Sequence, residues 1–268
     1  NGKFSLDGTE YNLVRNNDGQ SLHGGNKGLD RIVWNVDRVT DNEVAFSYMS
    51  PDGEEGYPGT VVFKVVYMLT SDNELKITYN AVTDKPTVVN LSCHAFFNLK
   101  GAGNGTVDDH ILTINSSRII PVDSFLIPTG ERVPVEGTPF DFRVPTAIGA
   151  RLDQDNEQLR FGKGYDHNWI IDKKIEGVEQ IASVYEPTLG RYMEVWSDQP
   201  GLQFYGGNFF NGKVKDKYGK PMRFREAIAL ETQKFPDSPN HPDFPTTRLN
   251  PGEVYVHTCI YKFMTKNE

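Results

Sequence analysis

Hydrophobic residues in this chain recur mostly at every second position, which is the period of a β-strand. The segment 74–82 (ELKITYNAV) shows this pattern, whereas 61–69 (VVFKVVYML) is nearly all apolar and rich in β-branched and aromatic residues. The polar turn 70–73 between these two strand-like segments predicts a hairpin. Further strands are predicted at 87–99, 110–115, 168–172, 181–186, 191–198, 202–210, 227–231 and 253–264. The one helical signal is a short stretch around 147–159.

Gly and Pro clusters separate the predicted strands at short intervals. This order of elements is typical of a large antiparallel β-sandwich. No change of composition marks a linker and no segment repeats, so we predict a single all-β domain over residues 1–268. A chain of this length can bury a substantial core.

The predicted strand 87–99 (TVVNLSCHAFFNL) presents two different faces. Alternation places a purely apolar set on one face: Val89, Leu91, Cys93, Ala95 and Phe97. The other face carries Asn90, Ser92, His94 and Phe96. A row of hydrogen-bonding groups that ends in a histidine beside an aromatic ring favours a functional role for His94. A hydrogen-bonded structural histidine is the alternative.

The segment 224–233 (FREAIALETQ) places Ala227, Ala229, Glu231 and Gln233 on one face. The two alanines leave room above the sheet for a bulky ligand, and Glu231 would point at that ligand. Four prolines in the next loop restrict its backbone and help to fix the orientation of Glu231. The alternative is an edge-strand glutamate without a function.

Charge and composition exclude several functions. The net charge of −8 argues against nucleic-acid binding, and no apolar run approaches the ~20 residues that a membrane helix needs. Two cysteines, Cys93 and Cys259, make no disulfide framework, and the histidines lack the spacing of metal ligands. No phosphate-binding or dinucleotide motif is present. We therefore expect no metal or cofactor, and acid–base chemistry is what remains: sugar isomerisation or glycoside hydrolysis.

Eight motifs then occur in one order along the chain. They are 22–30 (LHGGNKGLD), 50–59 (SPDGEEGYPG), 94–99 (HAFFNL), 127–131 (IPTGE), 137–143 (GTPFDFR), 165–168 (YDHN), 201–205 (GLQFY) and 230–233 (LETQ). With these motifs the chain resembles the aldose 1-epimerase (galactose mutarotase) family over nearly its whole length. The resemblance implies a galactose mutarotase-like sandwich with an open cleft. It also implies interconversion of the α and β anomers of free aldoses such as glucose and galactose.

The resemblance further implies roles for single residues. Glu231 would take the proton of the C1 hydroxyl, and His94 would protonate the ring oxygen. The sugar-binding positions would be His23, Asp166, Gln203 and Phe96. With Glu231 near its ordinary pKa and His94 at or above neutrality, the pair would work between about pH 5 and 7 and give a bell-shaped pH profile.

Two features depart from the family's pattern. The family's Asn-Arg pair, whose arginine contacts the sugar, would precede residue 1, as would several opening strands. We therefore expect the N-terminal strands to be missing, and a separate N-terminal fragment of the same gene product as one partner. In addition, the usual Asn-His-Ser-Tyr reads Cys-His-Ala-Phe at 93–96, which removes two hydroxyls beside the expected acid.

Two other functions stay open. An epimerase of phosphorylated hexoses would need arginines in the cleft, for which Arg31, Arg143 and Arg248 are candidates. A non-catalytic sugar-binding protein on the same scaffold is the second alternative. A glycosidase normally needs two flanking carboxylates, and Asp166 is the only partner for Glu231. The compartment, cytoplasmic or secreted, also stays open, since three sequons (Asn90, Asn104 and Asn115) occur without a signal peptide.

Overall fold

The computed structural model describes residues 1–266, most of whose regular structure is antiparallel β-strand. The strands are β1 (Lys3–Leu6), β2 (Thr9–Asn12), β3 (Asn35–Val39), β4 (Glu43–Ser50), β5 (Val61–Leu69), β6 (Glu74–Thr83), β7 (Thr87–Val88), β8 (Phe96–Phe97), β9 (Ile111–Ile114), β10 (Arg118–Ile120), β11 (Val133–Pro134), β12 (Thr146–Ala147), β13 (Asp166–Ile170), β14 (Glu179–Glu186), β15 (Arg191–Ser197), β16 (Gly201–Tyr205), β17 (Ile228–Gln233), β18 (Arg248–Leu249) and β19 (Tyr255–Thr265). The helices are the α-helix α1 (Glu157–Gly162) and the 3₁₀ helices Glu54–Gly56, Ile148–Arg151 and Ser238–Asn240.

The chain groups into two compact units. The first contains Asn1–Ser71, Leu75–Leu91 and Asp237–Thr258. The second contains Asp72–Glu74, Ser92–Pro236 and residues 259–266. A single domain over residues 1–268 stays a prediction.

The first unit is built around an antiparallel meander in the order β3-β4-β5-β6. The predicted hairpin is confirmed, because β5 and β6 pair continuously from Val61↔Thr83 to Leu69↔Leu75. Alternate residues of these two strands are buried, as period two requires: Val61, Phe63, Val65, Ile77, Tyr79 and Ala81. Two short ladders, β1-β2 and β7-β18, complete this unit.

The second unit is a sandwich of two antiparallel layers. One layer has the order β11-β10-β13-β16-β17-β8, and the other has the order β12-β9-β14-β15-β19. The Tyr261 hydroxyl on β19 donates to the Leu230 carbonyl on β17 at 2.7 Å, and the Tyr261 ring packs 4.8 Å from the Phe97 ring. The fully buried side chains of the second unit include Ile114, Trp169, Val184, Val195, Leu202 and Phe204. The prediction of an all-β antiparallel sandwich is confirmed.

The predicted continuous strand 87–99 is wrong. Only β7 and β8 belong to ladders, and residues 89–95 run as an extended segment between them. A side chain holds part of this segment, because Ser92 Oγ donates to the Thr232 carbonyl at 3.0 Å. Val89 is the only buried member of the predicted apolar face before Phe97. The helical signal around 147–159 corresponds to the 3₁₀ helix and to α1, which Asn156 caps at its N-terminus.

Candidate active site

The candidate site lies on one face of the sheet formed by β13, β16 and β17. Residues directly opposite each other in antiparallel strands share a face. Glu231 pairs with Gln203, and Gln203 pairs with Asn168, so these three form a row across the sheet. The neighbouring row on the same face consists of Phe96, Ala229, Tyr205 and Asp166. The opposite face carries core residues such as Phe204 and Leu230.

The strand β8 brings His94 to Glu231. Phe96 pairs with Ala229, and continuing this antiparallel register by two residues sets His94 opposite Glu231. His94 Nε2 lies 3.5 Å from Glu231 Oε1. The Phe96 ring, 42% exposed, lies against the His94 ring with their centroids 4.8 Å apart. The structure thus brings together the two residues that alternation had singled out.

Burial dominates the electrostatics of the two carboxyl groups. Glu231 is 8% exposed, and this burial, with a further contribution from the charge of Asp166, raises the pKa of Glu231 to about 8. Burial also raises the pKa of Asp166 to about 6, although the hydrogen bond from Gln203 lowers it. Gln203 Nε2 donates that bond to Asp166 Oδ1 at 2.9 Å. The expectation of an ordinary pKa for Glu231 is therefore wrong, because sequence does not show desolvation.

A glycine and an asparagine fix the loop that leads into Asp166. Asn208 Nδ2 donates to the carbonyls of Gly162 and Tyr165, at 3.0 and 2.7 Å. Gly164 has a φ of +135°, and a Cβ there would lie 2.5 Å from Asn208 Oδ1. The glycines of this loop were visible in the sequence. Asn208 was missed, because nothing local ties it to a segment more than forty residues away.

His167, next to Asp166, lies on the opposite face and is fully buried. The backbone N–H of Asp166 donates to Nδ1 at 3.1 Å, so the ring proton is on Nε2, which contacts Gln158 Oε1 at 3.2 Å. Burial lowers the pKa of His167 to about 3. His167 is therefore a neutral structural histidine.

Aromatic rings border the site beyond Phe96. Phe96 and Phe210 meet edge to face with centroids 4.9 Å apart, and Tyr205 stacks with Phe209 at 6.1 Å. The Tyr205 hydroxyl accepts a hydrogen bond from the backbone N–H of Phe209 at 2.8 Å. Aromatic faces of this kind suit the apolar face of a sugar ring. Sequence analysis had placed Tyr205 only within a strand, since alternation alone does not show which strands become neighbours.

His23 belongs to the first unit, whereas the other five predicted site residues belong to the second. Its side chain is exposed and its φ is +53°. The Glu55 carboxylate organises the following loop by accepting the backbone N–H groups of Asn26 at 2.8 Å and Lys27 at 3.0 Å. Gly25 must lack a Cβ because Glu55 lies where that atom would stand. A sugar-binding role for His23 stays a prediction.

Neither a metal centre nor a membrane helix is found in the part of the chain that the structure describes. No group of three or more His, Cys, Asp or Glu side chains within residues 1–266 is placed to hold a metal ion. None of the helices there is long and apolar enough to cross a membrane.

Comparisons with known proteins show the family to which the chain belongs. The family model of aldose 1-epimerase matches residues 1–262. Galactose mutarotase from Bos taurus is 45% identical over 262 residues, covering 98% of this chain and 74% of the relative. Aldose 1-epimerase from Escherichia coli (strain K12) is 36% identical over 268 residues, covering 99% of this chain and 77% of the relative.

Solved structures show the same fold. An aldose epimerase homologue from C. elegans matches with a TM-score of 0.91 at 29% identity, covering 100% of this chain and 79% of that chain. Galactose 1-epimerase from Lactobacillus acidophilus NCFM matches with a TM-score of 0.86 at 28% identity, covering 99% and 76%. These matches confirm the galactose mutarotase-like fold. The chain therefore belongs to the aldose 1-epimerase family and is an isomerase.

Proposed function

We propose that this protein interconverts the α and β anomers of free aldohexoses such as glucose and galactose, with Glu231 as general base and His94 as general acid. The observation that carries the proposal is the 3.5 Å approach of His94 Nε2 to Glu231 Oε1. The C1 hydroxyl and the ring oxygen of an aldose are bonded to the same carbon. A base that reaches one and an acid that reaches the other must therefore lie close together, as these two groups do.

The reaction needs only two proton transfers in each direction. Glu231 accepts the proton of the C1 hydroxyl while the bond from C1 to the ring oxygen breaks, and His94 donates a proton to that oxygen. The open-chain aldehyde then rotates about its C1–C2 bond and presents its other face. On closure His94 takes back its proton from the attacking hydroxyl and Glu231 returns its own to the aldehyde oxygen. Both side chains finish in their starting protonation states.

The raised pKa of Glu231 suits this role. A sugar hydroxyl is a weak acid, and a base whose pKa lies near the working pH removes its proton more readily than an ordinary carboxylate does. Burial supplies that basicity, and the neighbouring charge of Asp166 adds to it. Asp166 also accepts a sugar hydroxyl, and Gln203 offers its unpaired Oε1 to another. Phe96 places an apolar ring beside the acid.

Two of the three arginines named for a phosphorylated substrate are engaged elsewhere. Arg143 donates to Asp141 from Nε at 2.8 Å and from Nη2 at 2.7 Å. Arg248 donates to both carboxylate oxygens of Asp7, at 2.6 and 2.8 Å. These pairings weigh against the use of either guanidinium for a substrate phosphate, so the free sugar is the substrate we favour.

Polarimetry of freshly dissolved α-D-glucose and α-D-galactose tests the proposal. The wild-type protein should speed the approach to anomeric equilibrium well beyond the spontaneous rate. The variants Glu231→Gln and His94→Asn should each lose at least about 100-fold in kcat, as expected for loss of a general base or acid. The exposed Glu176→Gln is the matched control and should behave as wild type. Sugar binding without any acceleration by the wild type would identify a non-catalytic binding protein instead.

A further inference from the structure

Asn168 is a site residue whose side-chain amide has no hydrogen-bond partner among the residues that the structure describes. It is 2% exposed, yet neither Oδ1 nor Nδ2 has a hydrogen-bond partner within residues 1–266. A buried polar group left without a hydrogen bond costs about 1–3 kcal/mol. The stability of the fold therefore does not explain an asparagine at this position.

The carboxamide of Asn168 lies on the site face and not in the core. Its chain neighbours His167 and Trp169 are fully buried on the core face, and the side chain between them points the other way. Asn168 Oδ1 lies 2.7 Å from the position that a Cβ on Gly201 would occupy, and the Phe235 ring lies 3.0 Å from the same position. The missing side chain of Gly201 thus provides the space in which this amide sits.

A second unpaired group lies beside Asn168. Gln203 lies directly opposite Asn168 in the strand register. Its Nε2 donates to Asp166, whereas its Oε1 is buried and has no hydrogen-bond partner in the described part of the chain. Neighbouring strands are about 4.8 Å apart, so Asn168 lies about 9.6 Å from Glu231 across the sheet. That span fits a pyranose ring together with one hydrogen bond at each end.

We propose that Asn168 is a further sugar-binding residue, which pairs with a hydroxyl of the aldose on the side of the ring away from C1. The proposal rests on the proposed function, which places C1 beside Glu231 and His94. A carboxamide both donates and accepts, so it satisfies a hydroxyl in both roles. A hydroxyl that differs in orientation between two aldoses meets this amide in only one of them. Asn168 therefore contributes to the choice among aldoses.

The variant Asn168→Leu tests this role, since it keeps the approximate size of the side chain and removes both polar atoms. Calorimetric titration with glucose and galactose measures affinity independently of turnover, and polarimetry gives KM and kcat. We expect at least one of the two hexoses to lose about tenfold or more in affinity, while kcat at saturation changes much less. We also expect the melting temperature without sugar to be unchanged or higher, because an unpaired buried amide has been replaced by an apolar group.

Monodeoxy glucoses identify the contact. Removal of the hydroxyl that Asn168 binds should weaken binding to the wild type but not to the Leu variant, whereas removal of any other hydroxyl should weaken both equally. Asn168→Ala provides the same comparison if the branched leucine does not fit. A variant with a lower melting temperature and wild-type affinity for both hexoses would overturn the proposal and make Asn168 a structural residue. A wild type that binds sugar but does not turn it over would contradict the proposed function while leaving this test intact.

Discussion

The two faces of the sheet formed by β13, β16 and β17 differ in how they treat buried polar groups. On the core face, His167 is fully buried, makes two hydrogen bonds and is held neutral. On the site face, Glu231 and Asp166 keep raised pKa values, and amide atoms of Asn168 and Gln203 stay unpaired. One set of strands thus carries a face that is satisfied by folding and a face that is completed by a ligand.

The groups that stabilise the fold and the groups that are available for reaction therefore lie on opposite faces of the same strands. A buried polar group whose hydrogen bonds are all made within the protein stabilises the fold and has no free donor or acceptor for a substrate. A buried polar group without a hydrogen-bond partner lowers the stability of the fold and can form that hydrogen bond with a ligand. The same alternation of side chains along each strand creates both faces, so adjacent residues such as Asp166 and His167 have opposite tasks.

The largest effect should come from the core face. Phe204→Ala removes a fully buried ring that packs against Phe142, Tyr165 and Trp169. We expect the free energy of unfolding in urea to fall by about 3–5 kcal/mol. Glu231→Gln, on the other face of the neighbouring strand, should not destabilise the protein at pH 7. If the two variants lost similar amounts of unfolding free energy, the two faces would not differ in their contribution to stability.

A substantial kinetic effect is expected at Asp166. Asp166→Asn removes a negative charge that raises the pKa of Glu231. The rising limb of the kcat/KM profile, which reports ionisation of the base in the free enzyme, should therefore move to lower pH. Loss of a sugar contact should also lower kcat/KM by about tenfold or more. Rates of anomerisation between pH 4 and 9 measure both changes, and an unmoved rising limb would show that Asp166 does not influence the base.

Stability should depend on pH through Glu231. Its folded pKa of about 8 lies above the unfolded value of about 4.3, so between these values the folded state holds a proton that the unfolded state has lost. The contribution of this group is thus present at low pH and is lost as the pH rises through 8. Glu231→Gln removes that decline, and at pH 8.5 its melting temperature should exceed the wild-type value by about 2 °C or more. At pH 4 the two proteins should have the same melting temperature. An equal difference in melting temperature at both pH values would contradict the raised pKa of Glu231.

The smallest effect is expected at Phe96. Phe96→Tyr restores a hydroxyl that the family pattern has beside the acid, while the ring keeps its contact with His94. Because a single hydrogen bond contributes about 0.5–1.5 kcal/mol, kcat/KM for glucose or galactose should change by less than about tenfold. Parallel polarimetric measurements on both hexoses would show whether the added hydroxyl favours one of them. A gain of a hundredfold would mean that Phe96 limits the wild-type enzyme.

Sequence was sufficient for the fold class and for several individual residues. The apolar run of β5, the alternation of β6 and the polar turn between them made the hairpin predictable, and alternation along 224–233 made the orientation of Glu231 predictable. The prediction of one continuous strand failed at 87–99, because an extended segment held by Ser92 shows the same alternation as a paired strand. His94 was still singled out, because alternation placed it on the polar face of 87–99, and the structure sets it in register with Glu231 although the ladder is not continuous.

The remaining features depend on which distant segments become neighbours. The raised pKa of Glu231 requires burial that only the assembled strands produce. Asn208 and Asn168 each act across contacts with residues far away along the chain, at Gly162 and Gly201. No local pattern marks such residues, since an asparagine in a strand or a loop is common. Tertiary contacts alone separate a structural amide from one that awaits a ligand.

Exchange spectroscopy by NMR on an equilibrium mixture of α- and β-galactose is the sharpest test of Glu231 and His94 as the acid–base pair, because it measures anomer interconversion in both directions without a coupling enzyme. We expect strong enzyme-dependent exchange between the two C1 protons with the wild-type protein. We expect this exchange to fall at least about 100-fold with Glu231→Gln or with His94→Asn, at sugar concentrations that saturate each variant. Wild-type exchange in either variant would contradict the assignment of these two side chains as the acid–base pair.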